Sequence, residues 1–507
     1  MITATRAVRT AVEPLRTLPD PVVCERARRS RDARFDGLFF TAVTSTGIYC
    51  RPVCPAPYAK RVHYYPSASA AEAAGFRPCL RCRPELSPAD GSWRRGDQII
   101  ARALNLIDRG ALEHEALGDL AGRLRISDRQ LRRLFVERLG ASPIAVQTTR
   151  RLLFAKQLLT ETNLPITEVA LAAGFQSLRR FNDAFQHAYR LAPRQLRKQR
   201  TDTPADGLVL RLGYRPPYDF EAMLAFLRAR ALAGIEVVTD SSYARVIASD
   251  RDGGPAWLRV SAWPGTEHAL RLEVHGVRPD GLLQVVQRIR RMFDLDADPR
   301  AIASALAGQP RLGALVARSP GLRLPSGFDG FEIAVRAIVG QQVSVAAART
   351  VTVRVVQRFG LPLEQEPAPG LTHVFPNAHA LARADVVSVG MTSSRARTIG
   401  NMARALLDGR IDLDGQHGLD EFVARWTQVP GIGPWTAQYI AMRALGHPDA
   451  FPVEDLGLRR AAAGDGTILS VHDLRTLAEA WRPWRAYAAA YLWHDLASAA
   501  PRTKVTL

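Results

Sequence analysis

Four of the chain's five cysteines form one pattern: Cys50, Cys54, Cys79 and Cys82 read C-x3-C, then 24 intervening residues, then C-x2-C. Two close pairs joined by a spacer can each supply two sulfurs to one tetrahedral ion, so the spacing predicts a four-thiolate zinc site with one ion per chain. No cysteine follows Cys82. A pair of disulfides is the alternative. However, the first residues, MITATRAVRTAVEPLRTLPD, hold no apolar stretch of signal-peptide length, and a reducing compartment disfavours disulfides. Cys24 stands outside the set and reads as a packing residue.

At 507 residues the chain has room for about three domains or more, and 47% hydrophobic residues suffice for packed cores. No apolar run reaches membrane-spanning length, so the expectation is a soluble cytoplasmic protein with no membrane partner. The net charge of +19 is unevenly spread. Residues 1–93 carry 14 basic and 8 acidic side chains, residues 94–200 carry 20 and 10, and residues 201–507 carry 34 and 31. The excess thus lies in the first two hundred residues, as a phosphate-binding surface there requires. Only 4 of the 68 basic residues are lysine, so charge imbalance is a better guide than arginine count.

Composition shifts divide the chain into units at 1–93, 94–200, 201–285 and 286–507. Polar linkers are expected at Glu85 to Trp93 and at Lys198 to Gly207. The fold class expected is multidomain: a small α+β zinc domain, an all-α unit, an antiparallel-sheet α+β unit and a mainly α unit. LVLRLGY, ARVIA, AWLRVSAW and ALRLEVHGV, between Leu208 and about Arg278, read as the strands of the sheet.

The all-α unit holds two helix-turn-helix patterns. Leu117 to Leu124, a turn at Arg125 and Ile126, and a helix capped by Ser127 and running to about Leu139 make the first. Ile166 to Ala173, a turn at Gly174 and Phe175, and a helix opened by Ser177 through Phe185 make the second. Leu131, Leu134, Phe135, Phe181 and Phe185 sit at core spacing. Arg129, Gln130, Arg132, Arg133, Arg179, Arg180 and Asn182 take outer positions, and these side-chain types reach base edges and phosphates in a major groove. An ordinary helical domain with solvated arginines is the plainer alternative. The run Gly174, Phe175, Ser177, Phe181, Phe185, Pro193 and Arg197 resembles the AraC-type DNA-binding domain. It departs from that family at Arg190, where a glycine usually stands three residues before the proline.

FFTAVTSTGIYCRPVCPAP (Phe39 to Pro57) and GFRPCLRCRP (Gly75 to Pro84) resemble the metal-binding domain of the Ada methylation-response family. The resemblance implies that one zinc-bound thiolate, that of Cys50, takes the methyl group from a methylated DNA phosphate. Four thiolates on one zinc ion leave a net −2 site whose sulfur stays nucleophilic, and methylation removes one negative charge from a surface facing DNA. A purely structural zinc is the alternative.

Val429-Pro430-Gly431-Ile432-Gly433-Pro434-Trp435 reads as a helix-hairpin-helix turn between Leu419–Thr427 and Thr436–Leu445. In such a turn Gly431 and Gly433 bring backbone N–H groups to DNA phosphate, and turn carbonyls can hold a monovalent cation. Together with Phe451-Pro452-Val453-Glu454-Asp455 and WRPWRAYAAAYLW (Trp481 to Trp493), this stretch resembles the helix-hairpin-helix DNA glycosylases. Within that superfamily it is most similar to the AlkA-type 3-methyladenine glycosylases, over about Leu208 to Leu496.

That resemblance implies that Asp455 is the catalytic carboxylate and that Trp435, Tyr439 and Trp493 line a pocket for a flipped, electron-poor base. Gln342 falls where the family inserts an apolar wedge into the DNA stack. Glutamine there is a departure, able to hydrogen-bond to the orphaned base instead. Glu454 is expected to point away from the catalytic position. The position of the Schiff-base lysine of bifunctional relatives holds Trp435, and the only lysine after Lys198 is Lys504, so strand cleavage through an amine has no obvious nucleophile. No cysteine follows the hairpin to hold an iron–sulfur cluster, and the Pro-Cys-His-Arg motif of guanine O6-alkyl transferases is absent.

The expectation is therefore a monomer acting on double-stranded DNA at alkylated and promoter sites. It would combine a methylphosphotriester sensor and activator, meeting RNA polymerase, with a monofunctional alkylbase glycosylase. The alternative is a glycosylase whose first two hundred residues only anchor it on DNA.

Overall fold

The computed structural model describes residues 18–89, 98–197, 207–248 and 256–499. Most of the second expected linker, part of the first, and Lys504 lie outside the described residues.

The first unit opens with α1 (Pro21–Ser30), capped by the Asp20 carboxylate. Three strands follow, β1 (Phe40–Val43), β2 (Ile48–Cys50) and β3 (Val62–Tyr65), then α2 (Ala68–Ala73) and β4 (Arg77–Pro78). Strand order is β3-β1-β2-β4, with β4 parallel to β2. Cys24 is fully buried among Ala27, Phe35, Leu38 and Phe39, its thiol pushed up to about 12 by burial.

The all-α unit contains α3 (Gln98–Asp108), α4 (Ala111–His114), α5 (Leu117–Arg123), α6 (Asp128–Leu139), α7 (Pro143–Glu161), α8 (Ile166–Ala172), α9 (Leu178–Tyr189) and α10 (Pro193–Leu196). Both helix-turn-helix patterns form as read, with Ser127 and Ser177 accepting from the backbone N–H of Gln130 and Arg180. Helix α9 runs past Phe185 to Tyr189, whose ring stacks on Phe185 with centroids 4.4 Å apart. The two turns match in detail: Arg125 (φ 57°) takes the left-handed position that Gly174 (φ 79°) takes in the second copy. Arg190 (φ 57°) closes α9 in the same left-handed cap that Gly140 (φ 71°) supplies for α6. The departure at Arg190 is therefore accommodated in the backbone conformation that glycine favours.

The sheet unit comprises β5 (Gly207–Gly213), α11 (Phe220–Arg228), β6 (Glu236–Val238), β7 (Ser242–Ile247), β8 (Ala256–Ala262), β9 (Ala269–His275) and α12 (Pro279–Met292). It forms one antiparallel sheet in the order β5-β9-β8-β7-β6. Leu210, Leu272, Val260 and Tyr243 make one buried row across four strands. The short edge strand β6 and helix α11 had no distinct sequence signal. The row belongs to a cluster that also holds Leu158, Phe181 and Phe185 of the all-α unit, so these two units share a core.

The helical body contains α13 (Pro299–Leu306), α14 (Pro310–Arg318), α15 (Gly330–Val339), α16 (Val345–Phe359), α17 (Ala378–Arg383), α18 (Ser393–Leu407), α19 (Leu419–Trp426), α20 (Pro434–Leu445), α21 (Leu456–Ala463), α22 (Val471–Glu479) and α23 (Arg485–Ala499). One hydrophobic cluster runs from Ile302 to Leu492. Its seam with the sheet carries buried charge: Arg245 pairs with Glu332 at 2.8 Å, and Arg336 with Glu236 at 2.6 Å. Arg215, fully buried, donates to the carbonyls of Asp36, Pro88 and Ala89 in the first unit and of Asp296 and Ala297 in the body. No helix among the described residues is long and apolar enough to cross a membrane.

Candidate metal centre and candidate active site

Pairing of Ile48 with Arg77 and Tyr49 with Pro78 sets the ends of β2 and β4 side by side, and the Cys79 N–H donates to the Tyr49 carbonyl at 3.0 Å. This brings Cys50 against Cys79. A turn closed by Cys54 N–H to the Arg51 carbonyl (3.1 Å) returns Cys54. The Sγ atoms of Cys50, Cys54, Cys79 and Cys82 all lie within 4.8 Å of one another. A tetrahedral ion with bonds of about 2.3 Å needs sulfurs ~3.8 Å apart, so the set fits zinc. Arg51 donates its N–H to Cys82 Sγ at 3.3 Å and its guanidinium to the Asp36 carboxylate at 2.9 Å. Cys50 is 9% exposed, and Cys54 is the most exposed of the four.

The centre also touches α7, the helix that joins the two helix-turn-helix copies. Lys156, buried, donates to the Cys79 carbonyl (3.3 Å) and pairs with Glu85 (2.6 Å). On the outer faces, Arg129, Gln130, Arg133, Arg179 and Arg180 are exposed and Asn182 is half-buried. Arg132 and Arg133 are tethered to Asp128 and Glu137, whereas Arg129, Arg179 and Arg180 make no ion pair among the described residues.

The second site is a cleft of 1380 Å³ between the sheet unit and the hairpin. Gly431 has φ 95°, and a Cβ there would lie 1.9 Å from Thr398 Oγ1. Gly433, at φ −92°, meets nothing within 4 Å. Only the first glycine is therefore demanded by backbone and space; the second leaves the start of α20 uncovered. From that start, Trp435, Tyr439 and Arg443 follow at intervals of four and share one helix face.

The Trp435 and Tyr439 rings stack with centroids 5.3 Å apart at 13°, and Trp493 meets Tyr439 edge-on at 6.2 Å. Both indole N–H groups reach Asp455: Trp493 donates to Oδ1 at 3.2 Å and Trp435 to Oδ2 at 3.4 Å. Oδ1 also caps α21 by accepting from Leu458 N–H at 2.9 Å. One carboxylate is thus aimed by two aromatic walls and a helix start.

Several lining residues carried no recognised signal. The Tyr439 hydroxyl accepts from Arg443 at 2.9 Å. Burial raises that phenol, but the Arg443 and Arg230 charges outweigh it and hold the group below its ordinary value. Phe226 lies under both guanidiniums, 3.8 Å from that of Arg230 and 4.7 Å from that of Arg443. The spacing of Arg443 from Tyr439 was legible; that α11 brings Phe226 and Arg230 to the same place was not. Glu454, expected to point away, lines this same cleft, with Oε2 enclosed and unpaired among the described residues.

Gln342 is exposed at the cleft rim with φ 55°, a left-handed backbone that a non-glycine residue rarely holds. Its neighbour Gln341 pins the loop, donating from Nε2 to the Gly431 carbonyl (3.1 Å) and to Thr436 Oγ1 (3.0 Å).

Four families match in chain order: "Metal binding domain of Ada" over residues 23–85, "Helix-turn-helix domain" over 120–199, "AlkA N-terminal domain" over 209–329, and "HhH-GPD superfamily base excision DNA repair protein" over 335–486. The Mycobacterium tuberculosis protein described as "Probable bifunctional transcriptional activator/DNA repair enzyme AlkA" is 41% identical over 486 residues, 93% of this chain and 96% of that one. Escherichia coli "DNA-3-methyladenine glycosylase 2" is 35% identical over 56% of this chain and 96% of its own length. The structure of an Archaeoglobus fulgidus 3-methyladenine DNA-glycosylase superposes with a TM-score of 0.50 at 24% identity, covering 57% of this chain and 99% of that chain, a likeness of fold.

Proposed function

The chain belongs to the family of bifunctional transcriptional activator and DNA repair proteins that join an Ada-type metal-binding domain to an AlkA-type glycosylase, and from that premise we propose that it carries out two chemistries on double-stranded DNA. The first is hydrolysis of the N-glycosidic bond of alkylated bases such as 3-methyladenine. The observation that carries it is the Asp455 carboxylate, held by the indoles of Trp435 and Trp493 in the wall of the cleft. Alkylation makes the purine cationic, so the bond breaks with its electron pair returning to the base, which leaves neutral. Positive charge grows on the deoxyribose, and the Asp455 carboxylate stabilises it and orients the water that adds there. Trp435, Tyr439 and Trp493 stack on the flipped base, Gln342 fills the gap it leaves, and Gly431 and Gly433 open the hairpin to phosphate. Turn carbonyls there would hold a monovalent cation, although that of Gly431 already accepts from Gln341.

The second chemistry is methyl transfer. Zinc bound by Cys50, Cys54, Cys79 and Cys82 would keep the sulfurs deprotonated at neutral pH. The Cys50 sulfur attacks the methyl carbon of a neutral phosphotriester; the C–O bond breaks, its electrons stay on the phosphate oxygen, and a thioether forms. One negative charge leaves the metal centre, whose ligand Cys79 touches α7 through Lys156. That charge change strengthens promoter binding through Arg129, Gln130, Arg133, Arg179, Arg180 and Asn182, and the bound protein, a cytoplasmic monomer, then meets RNA polymerase. We assign these roles to units at 1–93, 94–200, 201–285 and 286–507.

The core shared between residues 152–189 and the sheet favours the rival reading, in which the first two units only anchor the enzyme. The test uses the full chain on methylated duplex. Free 3-methyladenine with an intact abasic strand, and one methyl mass on the peptide holding Cys50, are expected. Absence of base release would refute the first chemistry, and methyl on Cys54 would move the acceptor. Equal promoter affinity of methylated and unmethylated protein at low salt would favour the anchor.

A further inference from the structure

A second cavity, of 170 Å³, lies where the all-α unit meets the sheet and the helical body. Arg109 of α3 and Arg291 of α12 both line it. The Arg291 side chain makes no hydrogen bond or ion pair among the described residues, and its Nε is enclosed without an acceptor. Arg109 donates to the Leu413 carbonyl and to Asn105 Oδ1, but its Nη2 is likewise enclosed and unpaired. Each arginine thus turns one N–H into a space closed to water and without an acceptor, which is costly.

The carboxylates around the cavity do not fill that need, because each is committed elsewhere. Asp108 pairs with Arg150. Asp294 accepts from the Tyr487 hydroxyl and from Leu324 N–H. Asp296 pairs with Arg290 and accepts from Ala89 N–H. Asp298 caps α13. The charged groups acting on Arg291 are Arg109 and Arg288, which oppose it, and Asp329 and Asp108, which favour it. Burial and those two arginines together push its guanidinium down to about 9. The cavity thus offers fork-shaped donors in excess of acceptors, the arrangement that recognises a tetrahedral oxyanion.

We propose that this junction cavity is an oxyanion site of the phosphate class, in which an anion bridges Arg109 and Arg291 and so fastens the all-α unit to the glycosylase half. The site is separate from both chemistries: neither the cysteines nor Asp455 line it.

The full chain is titrated with orthophosphate, and separately with adenosine 5′-monophosphate, in chloride buffer at constant ionic strength, following melting temperature and heat of binding. Wild-type protein is expected to bind and to melt higher. Arg291→Met keeps the length and removes the charge, and it should bind about 10- to 100-fold more weakly, as expected for a lost charge-assisted contact. In the absence of phosphate that variant should melt no lower than wild type, because it removes an N–H that is closed to water without an acceptor. Arg179→Ala with Arg180→Ala, on the DNA face, should leave the response intact. A response to orthophosphate alone identifies a free anion as the occupant, and a stronger response to the nucleotide identifies a phosphate carried on one. No response to either, or a response that survives in Arg291→Met but vanishes in the Arg179/Arg180 variant, overturns the proposal.

Discussion

The metal centre and the glycosylase cleft are built on opposite plans. All four sulfurs come from residues 50–82, set by one parallel strand pair and two turns, in a unit whose own apolar clusters are small. The cleft draws Phe226, Gln342, Trp435, Asp455 and Trp493 from segments far apart in the chain, positioned by a hydrophobic cluster running from Ile302 to Leu492 and, for Phe226, by the cluster of the sheet. A short segment that cannot bury much surface is held by its ion. A site that gathers an aromatic wall, a carboxylate and an exposed loop from distant segments needs a large core to do so. The two should therefore fail differently: the first by loss of one ligand, the second by small displacements.

The sharpest break in that contrast is metal removal. Zinc binding in small four-ligand domains contributes roughly 10–16 kcal/mol, so chelation should unfold residues 20–85 while base release persists. Proteolysis of the chelated protein alongside a release assay checks this, and simultaneous loss of both activities would show the units to be one cooperative structure. Next in size is Asp455→Asn. Asparagine keeps the cap on α21 but removes the charge, and single-turnover release should slow on the order of 100- to 1000-fold with duplex binding retained. Near-normal release would remove Asp455 from catalysis.

Within the hairpin, Gly431→Ala should cost about 2–4 kcal/mol, because it combines a left-handed backbone with a Cβ set into Thr398. Gly433→Ala, with ordinary φ and open space, should cost under about 0.5 kcal/mol. Thermal melts of the two variants decide whether one or both glycines shape the turn. A smaller effect than that of Gly431→Ala is expected from Gln341→Ala, which unties the Gln342 loop from the hairpin. Loss of two hydrogen bonds at about 0.5–1.5 kcal/mol each should lower turnover on duplex substrate ~10-fold without slowing release from single strands. An equal loss on both substrates would make Gln341 a stability residue only.

The sequence alone determined the parts whose physics is local. Cysteine spacing specified the metal set, serine caps specified both helix-turn-helix copies with a glycine turn in the second, and alternation specified four of the five strands of the large sheet. The PGIG turn and the aromatic spacing on α20 placed half of the cleft. Tertiary structure alone decided which distant pieces meet. Nothing in the local pattern says that Phe226 of α11 and Arg230 just beyond it come to lie beside Arg443. Nor does it say that Glu454 lines the cleft beside Asp455, or that the second helix-turn-helix shares a core with the sheet. Capping, turn geometry and ligand spacing act over a few residues and leave their mark in order along the chain. Burial of apolar faces is non-directional; which face meets which is settled only when the whole chain has packed.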